Sequence, residues 1–268
     1  MFFLDKSKLS GDSMESKKTN MYFTGERIIP ELENYFFKEH LARYKLVTGY
    51  VNRESVLLDV GCGNGYGTFF LSSYVKKAVG IDISAETIAQ ASKIYKRPNL
   101  SFHVINREKN WSHAEEFDTA ICFEVFEHVS NPENLLSNIK KFLRDEGQLI
   151  ISTPNRDVFG EKIKTPFHVR EYSLDEFIDF LSRYFVIKEV LGQRNKKPWV
   201  KKWNFWISGK AMRFPFILKF YNWYISKKQR KYLEPGYFER VHTDDNYFSM
   251  DNAESADYFV VICQKMLK

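Results

Sequence analysis

Asp59-Val60-Gly61-Cys62-Gly63-Asn64-Gly65-Tyr66-Gly67 follows directly on the apolar run Ser55-Val56-Leu57-Leu58. An apolar run that stops at glycines predicts a buried parallel strand entering a tight turn. Glycines let the backbone turn sharply and let a ligand approach without a Cβ in the way. A second run, Lys77-Ala78-Val79-Gly80-Ile81-Asp82, ends on a carboxylate twenty-one residues after Gly61. A carboxylate at that spacing is placed to accept both ribose hydroxyls of an adenosine. In a doubly wound sheet such a turn lies at the carboxyl edge of the strands, where ligands bind.

Outward from this turn, strand-like and helix-like segments alternate. Further strands are expected at 100–105, 118–123, 148–152, 185–190 and 258–263, which makes seven with 55–60 and 77–82. Ser84 is set to cap a helix running to about residue 96. Asn131-Pro132 opens another, with Asn as cap and Pro at the first helical position, ending near 145–147. Ser173 with Glu176 forms a capping-box pattern before a third. Upstream, 34–48 reads as a helix. The fold class expected is α/β, a doubly wound, mostly parallel seven-stranded sheet. Residues 1–50 are read as an N-terminal arm and helix. Residues 51–268 are read as the main domain, with a helical insertion at 193–240 before the last strand.

The turn departs from the dinucleotide pattern G-x-G-x-x-G, because Tyr66 occupies the last glycine position. Asp59, two residues before Gly61, suits a cationic ligand better than a pyrophosphate. S-adenosylmethionine carries both a sulfonium and an ammonium, so it is the adenosine cofactor these residues favour.

These motifs resemble class I S-adenosylmethionine-dependent methyltransferases, over about residues 22–192 plus the last strand. The resemblance implies a Rossmann-like methyltransferase sheet with Gly61, Gly63, Asp82 and Phe123 contacting the cofactor. It implies that Arg43 pairs with the methionine carboxylate. Asn106 stands where many relatives carry an Asp that contacts the adenine amine, and its amide oxygen can accept the same bond. Thr24-Gly25-Glu26-Arg27-Ile28-Ile29-Pro30, followed by Glu39-His40-Leu41-Ala42-Arg43-Tyr44, resembles bacterial enzymes associated with surface-polysaccharide biosynthesis. The acceptor implied is a sugar hydroxyl of a cell-surface glycan or its precursor. A quinone-like phenol and an RNA ribose are the alternative acceptors. A non-catalytic, cofactor-binding subunit of a glycan-assembly complex is the alternative of another class.

Glu124-Val125-Phe126-Glu127-His128 follows the fourth strand, and Phe167-His168-Val169-Arg170-Glu171-Tyr172 follows the fifth. An alcohol acceptor needs its proton removed or its oxygen polarised, by a general base or a metal. The cluster resembles the metal-binding motif of ubiquinone-biosynthesis O-methyltransferases and small-RNA 3′-end methyltransferases. That resemblance implies a divalent ion, magnesium or manganese, on Glu124, Glu127, His128 and His168; the imidazoles keep zinc in the field. The rival reading makes His128 a metal-free general base oriented by Glu127. In a third, the glutamates only bond backbone amides.

Composition bounds the rest. The chain has 268 residues, 44% hydrophobic and 28% charged, the balance of a folded globular protein. Three cysteines build neither a disulfide scaffold nor a four-cysteine zinc site, and a reducing, cytoplasmic compartment is expected. The N-terminus is too weakly apolar for a signal peptide, and no run of about 18 apolar residues predicts a membrane span. Net charge is +6, yet residues 191–240 hold 13 Lys and Arg against 2 Asp and Glu, with four of the five tryptophans. This segment is read first as a lid over the acceptor or a helical cover or dimer interface. An element peripheral to an anionic membrane surface comes next, and nucleic-acid binding last. It is expected on the acceptor side of the site, away from the second strand.

Overall fold

The computed structural model describes residues 35–106, 116–159, 168–196, 237–243 and 245–266. The motif at 24–30 and most of the basic aromatic segment lie outside the described residues.

The turn-bearing strand is the centre of the sheet. β1 (Val56–Val60) has β2 (Lys77–Asp82) and β3 (Leu100–Val104) on one side and β4 (Phe117–Phe123) and β5 (Leu143–Pro154) on the other. All five run parallel. β8 (Tyr258–Lys265) inserts antiparallel between β5 and β6 (Phe185–Asn195), and β7 (Asn246–Ser249) closes the edge beside β6. The order is β3-β2-β1-β4-β5-β8-β6-β7. Among the described residues the sheet is therefore mixed and eight-stranded, and the expected count of seven is corrected. The added strand has four residues and pairs only with the last four positions of β6. β6 itself runs to Asn195, so strand occupies the first residues of the expected insertion.

Helices cover both faces, and strand alternation decides which residues meet them. Leu57, Ala78, Ile121, Ile150 and Val260 face α1 (Tyr35–Val47), α2 (Tyr66–Leu71) and α3 (Ala85–Ile94). Leu58, Val79, Ala120, Leu149 and Val261 face α4 (Pro132–Phe142) and α6 (Leu174–Ser182), which follows the short α5 (Arg156–Phe159). β1 is buried at every position, as its unbroken apolar run requires. Each fully buried Leu or Phe contributes about 1.5–3 kcal/mol. No helix among the described residues is long and apolar enough to cross a membrane.

Local signals in the sequence match the caps observed. Ser84 accepts from Thr87 N, and Asn131 accepts from Asn134 N with Pro132 behind it. The Ser173 hydroxyl accepts from Glu176 N while the Glu176 carboxylate accepts from Ser173 N. Ser173→Ala should lower stability by about 1 kcal/mol, read as a shifted urea midpoint with unchanged slope. α4 stops at Phe142, earlier than the expected 145–147. Leu143 there begins pairing with Phe117, and the Lys265 ammonium donates to its carbonyl at 2.6 Å.

α7 (Tyr237–Arg240) is the returning end of the insertion. Phe238 stacks on Tyr66 of α2 at 6.1 Å and meets Phe69 and Phe70 edge-on. Glu239 accepts from the Tyr74 hydroxyl, and the Lys45 ammonium donates to Val241 O at 2.7 Å. The return arm is thus built against α1 and α2, the helices beneath the glycine turn. The expectation that the segment keeps to the far end of the sheet is corrected for this arm.

Candidate functional site

The glycine turn wraps over the ends of β1 and β2. Gly61, Gly63 and Gly65 have φ of +74°, +53° and +82°. Gly61 N and Cys62 N both donate to Ile81 O, at 2.8 and 3.0 Å. Asp82 supports the turn from below: Oδ2 accepts from Gly63 N at 3.0 Å and Oδ1 from Ser84 N at 2.9 Å. A carboxylate has about four acceptor sites, so both oxygens keep a lone pair for a ligand. A Cβ on Gly61 would strike Val125, whereas a Cβ on Gly63 would meet nothing within 4 Å. The space above Gly63 is open at the carboxyl edge of the sheet. Asn106 lies exposed just past β3. Phe123, the last residue of β4, is buried edge-on to the Tyr44 ring at 5.3 Å.

Asp59 lies deeper. It is 1% exposed and accepts from the Thr68 hydroxyl at 2.6 Å and the Tyr44 hydroxyl at 3.4 Å. Burial pushes its carboxyl up to about 7, against the pull of those two bonds. The unfolded chain loses this proton near pH 4, so between about pH 4 and 7 only the folded state holds it. The contribution of Asp59 to stability therefore falls as pH rises through that window. Asp59→Asn should gain in stability relative to the natural protein as pH is raised from about 5 to 8, measured by urea unfolding at each pH.

Arg43 projects from α1 and is fully buried. Nη1 donates to Gln193 Oε1 at 2.6 Å, and the guanidinium lies over the Tyr258 ring at 4.7 Å. Nη2 is 3.8 Å from Glu124 Oε1, and among the described residues neither Nη2 nor Nε has a hydrogen-bond partner. Gln193 Nε2 donates to Glu39 O, and the Tyr258 hydroxyl donates to Glu39 Oε2. Sequence reasoning missed Gln193, Glu39 and Tyr258, because only the tertiary fold brings them beside Arg43.

The acidic–histidine cluster divides in two. Glu124 adopts φ +54°, and this left-handed turn carries its side chain to Ser152, whose hydroxyl donates at 2.7 Å. It faces Arg43, and the structure does not bring it into the group expected to hold a metal. Glu127, His128 and His168 do converge: a ligand atom from each lies within 4.8 Å of the others. Glu127 is buried at 1% exposure and accepts from the Thr153 hydroxyl at 3.2 Å. Burial, reinforced by the charge of Glu124, holds its carboxyl well above the usual carboxylate range. His128 Nε2 is 3.9 Å from Glu127 Oε1, and the His128 and His168 rings meet edge to face at 4.9 Å. His168 Nδ1 is 2.7 Å from Glu171 Oε1. Glu171 lies three residues past His168, and nothing in the sequence alone gives it a role.

A family profile for the methyltransferase domain matches residues 33–209. The chain belongs to the methyltransferase domain family. A "probable S-adenosylmethionine-dependent methyltransferase" of Mycolicibacterium smegmatis is 31% identical over 188 residues, 68% of this chain and 72% of that protein. A ubiquinone biosynthesis O-methyltransferase of Hydrogenovibrio crunogenus is 32% identical over 104 residues, 38% of this chain and 43% of the relative. The structure of the N-methyltransferase NodS from Bradyrhizobium japonicum WM9, in complex with S-adenosyl-L-homocysteine, superposes with a TM-score of 0.56. That match covers 87% of this chain and 89% of the other at 15% identity, and so speaks for the fold. The protein is an S-adenosylmethionine-dependent methyltransferase. The open space over Gly63 and the two Arg43 nitrogens that lack a hydrogen bond among the described residues fit a cofactor with an adenosine and a free carboxylate. The donors of the histidine cluster, two imidazoles and one carboxylate, fit manganese or zinc better than magnesium.

Proposed function

We propose that this methyltransferase methylates a hydroxyl oxygen of a sugar, in a cell-surface glycan or its precursor. The observation that carries oxygen as the target is the convergence of Glu127, His128 and His168 at the carboxyl edge of the sheet. The sugar assignment is supported by the sequence resemblance at 24–30 and 39–44. The backbone of Gly61 and Gly63, the carboxylate of Asp82, the Asn106 amide and Phe123 would hold the adenosine end of the cofactor. Arg43 takes the methionine carboxylate. Asp59 shapes the turn through Thr68 and Tyr44.

Bound at the turn, the cofactor would supply an electrophilic methyl group whose sulfur leaves with the bonding electrons, and the proton of the attacking hydroxyl would pass to the His128 imidazole, the more exposed of the two rings. The donor is already activated by its charge, so alignment supplies much of the acceleration. A second reading, favoured by the donor set of the cluster, places a divalent ion on Glu127, His128 and His168. Bound there, the ion would supply Lewis-acid polarisation of the acceptor oxygen.

Two measurements test this reading. Asp82→Ala should weaken S-adenosylmethionine binding by about 1.5–3 kcal/mol in calorimetry, the range for bonds to a charged acceptor. Transfer from methyl-deuterated cofactor should appear by mass spectrometry in oligosaccharides and not in polyphenols or RNA. Label in a quinone-like phenol alone would replace the sugar with the phenol, the acceptor class of the ubiquinone relative. The basic aromatic segment is proposed to cover the acceptor on the cytoplasmic face of a membrane. Binding to anionic vesicles that weakens with salt supports the membrane part, and no binding at low salt removes it.

A further inference from the structure

We infer that Glu171 is a positioning residue that holds His168 in one tautomer, with Nδ1–H directed to its carboxylate and Nε2 left as the acceptor nitrogen of the ring.

The loop that carries both residues is fixed before either side chain is considered. Val169 N and Arg170 N both donate to the carbonyl of Glu127, at 2.8 and 3.2 Å. Tyr172 is 2% exposed, Asn155 bridges to it in parallel, and Arg156 N donates to its carbonyl. Residues 168–172 therefore clasp the turn that bears Glu127 and His128. His168 meets His128 edge-on as a result, and Glu171, three residues on, reaches back to Nδ1 at 2.7 Å.

The surrounding charges make this pair specific. Arg170 within the loop and Arg156 beside it both pair with Glu176, at 3.6 and 2.6 Å. Among the described residues, the ion-pair partner of Glu171 is His168. The two side chains are only 17% and 15% exposed, so water competes weakly for the bond. An ionised carboxylate accepts and never donates, so the ring nitrogen facing it must carry the hydrogen. The other nitrogen is then the acceptor, free to take a proton or a metal.

This inference rests on the reading that His168 belongs to the acceptor-activating cluster, and the experiment separates the two. Nitrogen-15 spectra of the imidazoles at about pH 8.5, where a free histidine is neutral, report which nitrogen is protonated. The natural protein should show His168 with Nδ1 protonated and Nε2 bare. Glu171→Gln keeps the shape but offers both a donor and an acceptor, so the single tautomer should be lost. Glu171→Ala should lower kcat about 10–100-fold, with the KM for S-adenosylmethionine within about twofold. Glu171→Gln should fall between Ala and the natural protein, and matching circular dichroism shows that each variant is folded. An Nε2-protonated His168 in the natural protein, or an unchanged spectrum in Glu171→Gln, overturns the inference whatever the activity. Full activity in His168→Ala overturns the role of the cluster residue, and the positioning role with it, while the spectrum still reports whether the hydrogen bond exists.

Discussion

His128→Ala is expected to lower kcat by about 10²–10⁴-fold, the contribution of a positioned general base, with S-adenosylmethionine affinity unchanged. The affinity is preserved because His128 is not among the groups proposed to hold the cofactor, which stand on the glycine turn, on α1 and at the ends of β2, β3 and β4. His168→Ala should cost a similar factor, and the double variant little more than either alone, since the rings act as one unit 4.9 Å apart. Steady-state kinetics with calorimetry on the same preparations checks both halves. Strictly additive losses would mean the two imidazoles work independently. A chelator distinguishes the two ways the cluster can act. Activity retained in chelator assigns proton removal to the imidazole alone. Activity lost and restored better by manganese than by magnesium assigns it to an ion held by two nitrogens and an oxygen. Unchanged activity in His128→Ala would remove the cluster from the chemistry altogether.

Arg43→Ala should unfold the protein more readily, by about 3–5 kcal/mol, because one partner of a buried charged network disappears and the others remain. Among the described residues Glu124 would keep only Ser152, Gln193 would lose a 2.6 Å bond, and the Tyr258 ring would lose the cation above it. Arg43→Met is the sharper experiment. Methionine refills most of the volume, so the stability loss should be smaller, while the unpartnered nitrogens assigned to the methionine carboxylate are gone. Urea unfolding should rank the proteins natural, Met, Ala, and calorimetry should show cofactor binding weakened in both. Natural affinity in Arg43→Met would make Arg43 purely structural and leave the carboxylate to other groups.

The sequence was most legible where one signal dominates. β1, β2 and β4 are apolar runs, buried on both faces, and apolar runs announce themselves without any knowledge of neighbours. The caps at Ser84, Asn131 and Ser173 depend on bonds spanning three residues, so they too could be read locally. β7 was invisible because Asn246–Ser249 is too short to show a period and takes its register from β6. In the site, places at the sheet edge group Glu124, Glu127, His128 and His168, and the structure brings the last three together. Glu124 could not be separated from Glu127 by spacing, because the separation is made by a single left-handed residue. Gln193 carried no signal at all: a lone polar position near the end of an edge-side strand becomes meaningful only once Arg43 arrives from 150 residues away.

β8 is the last described strand in the chain, yet it lies between β5 and β6. This order governs how the protein can be made. A chain emerging from the ribosome can assemble β1 to β5 from their parallel neighbours, but β6 must wait for residues made more than sixty positions later. Until Tyr258–Lys265 arrives, β5 and β6 each expose an unpaired row of amides and carbonyls, the template on which chains join edge to edge. The Tyr258 bond to Glu39 is missing over the same interval. A stop codon ahead of Tyr258 would therefore yield an aggregating or degraded product, and the eight residues of β8 act as the stitch that closes the sheet.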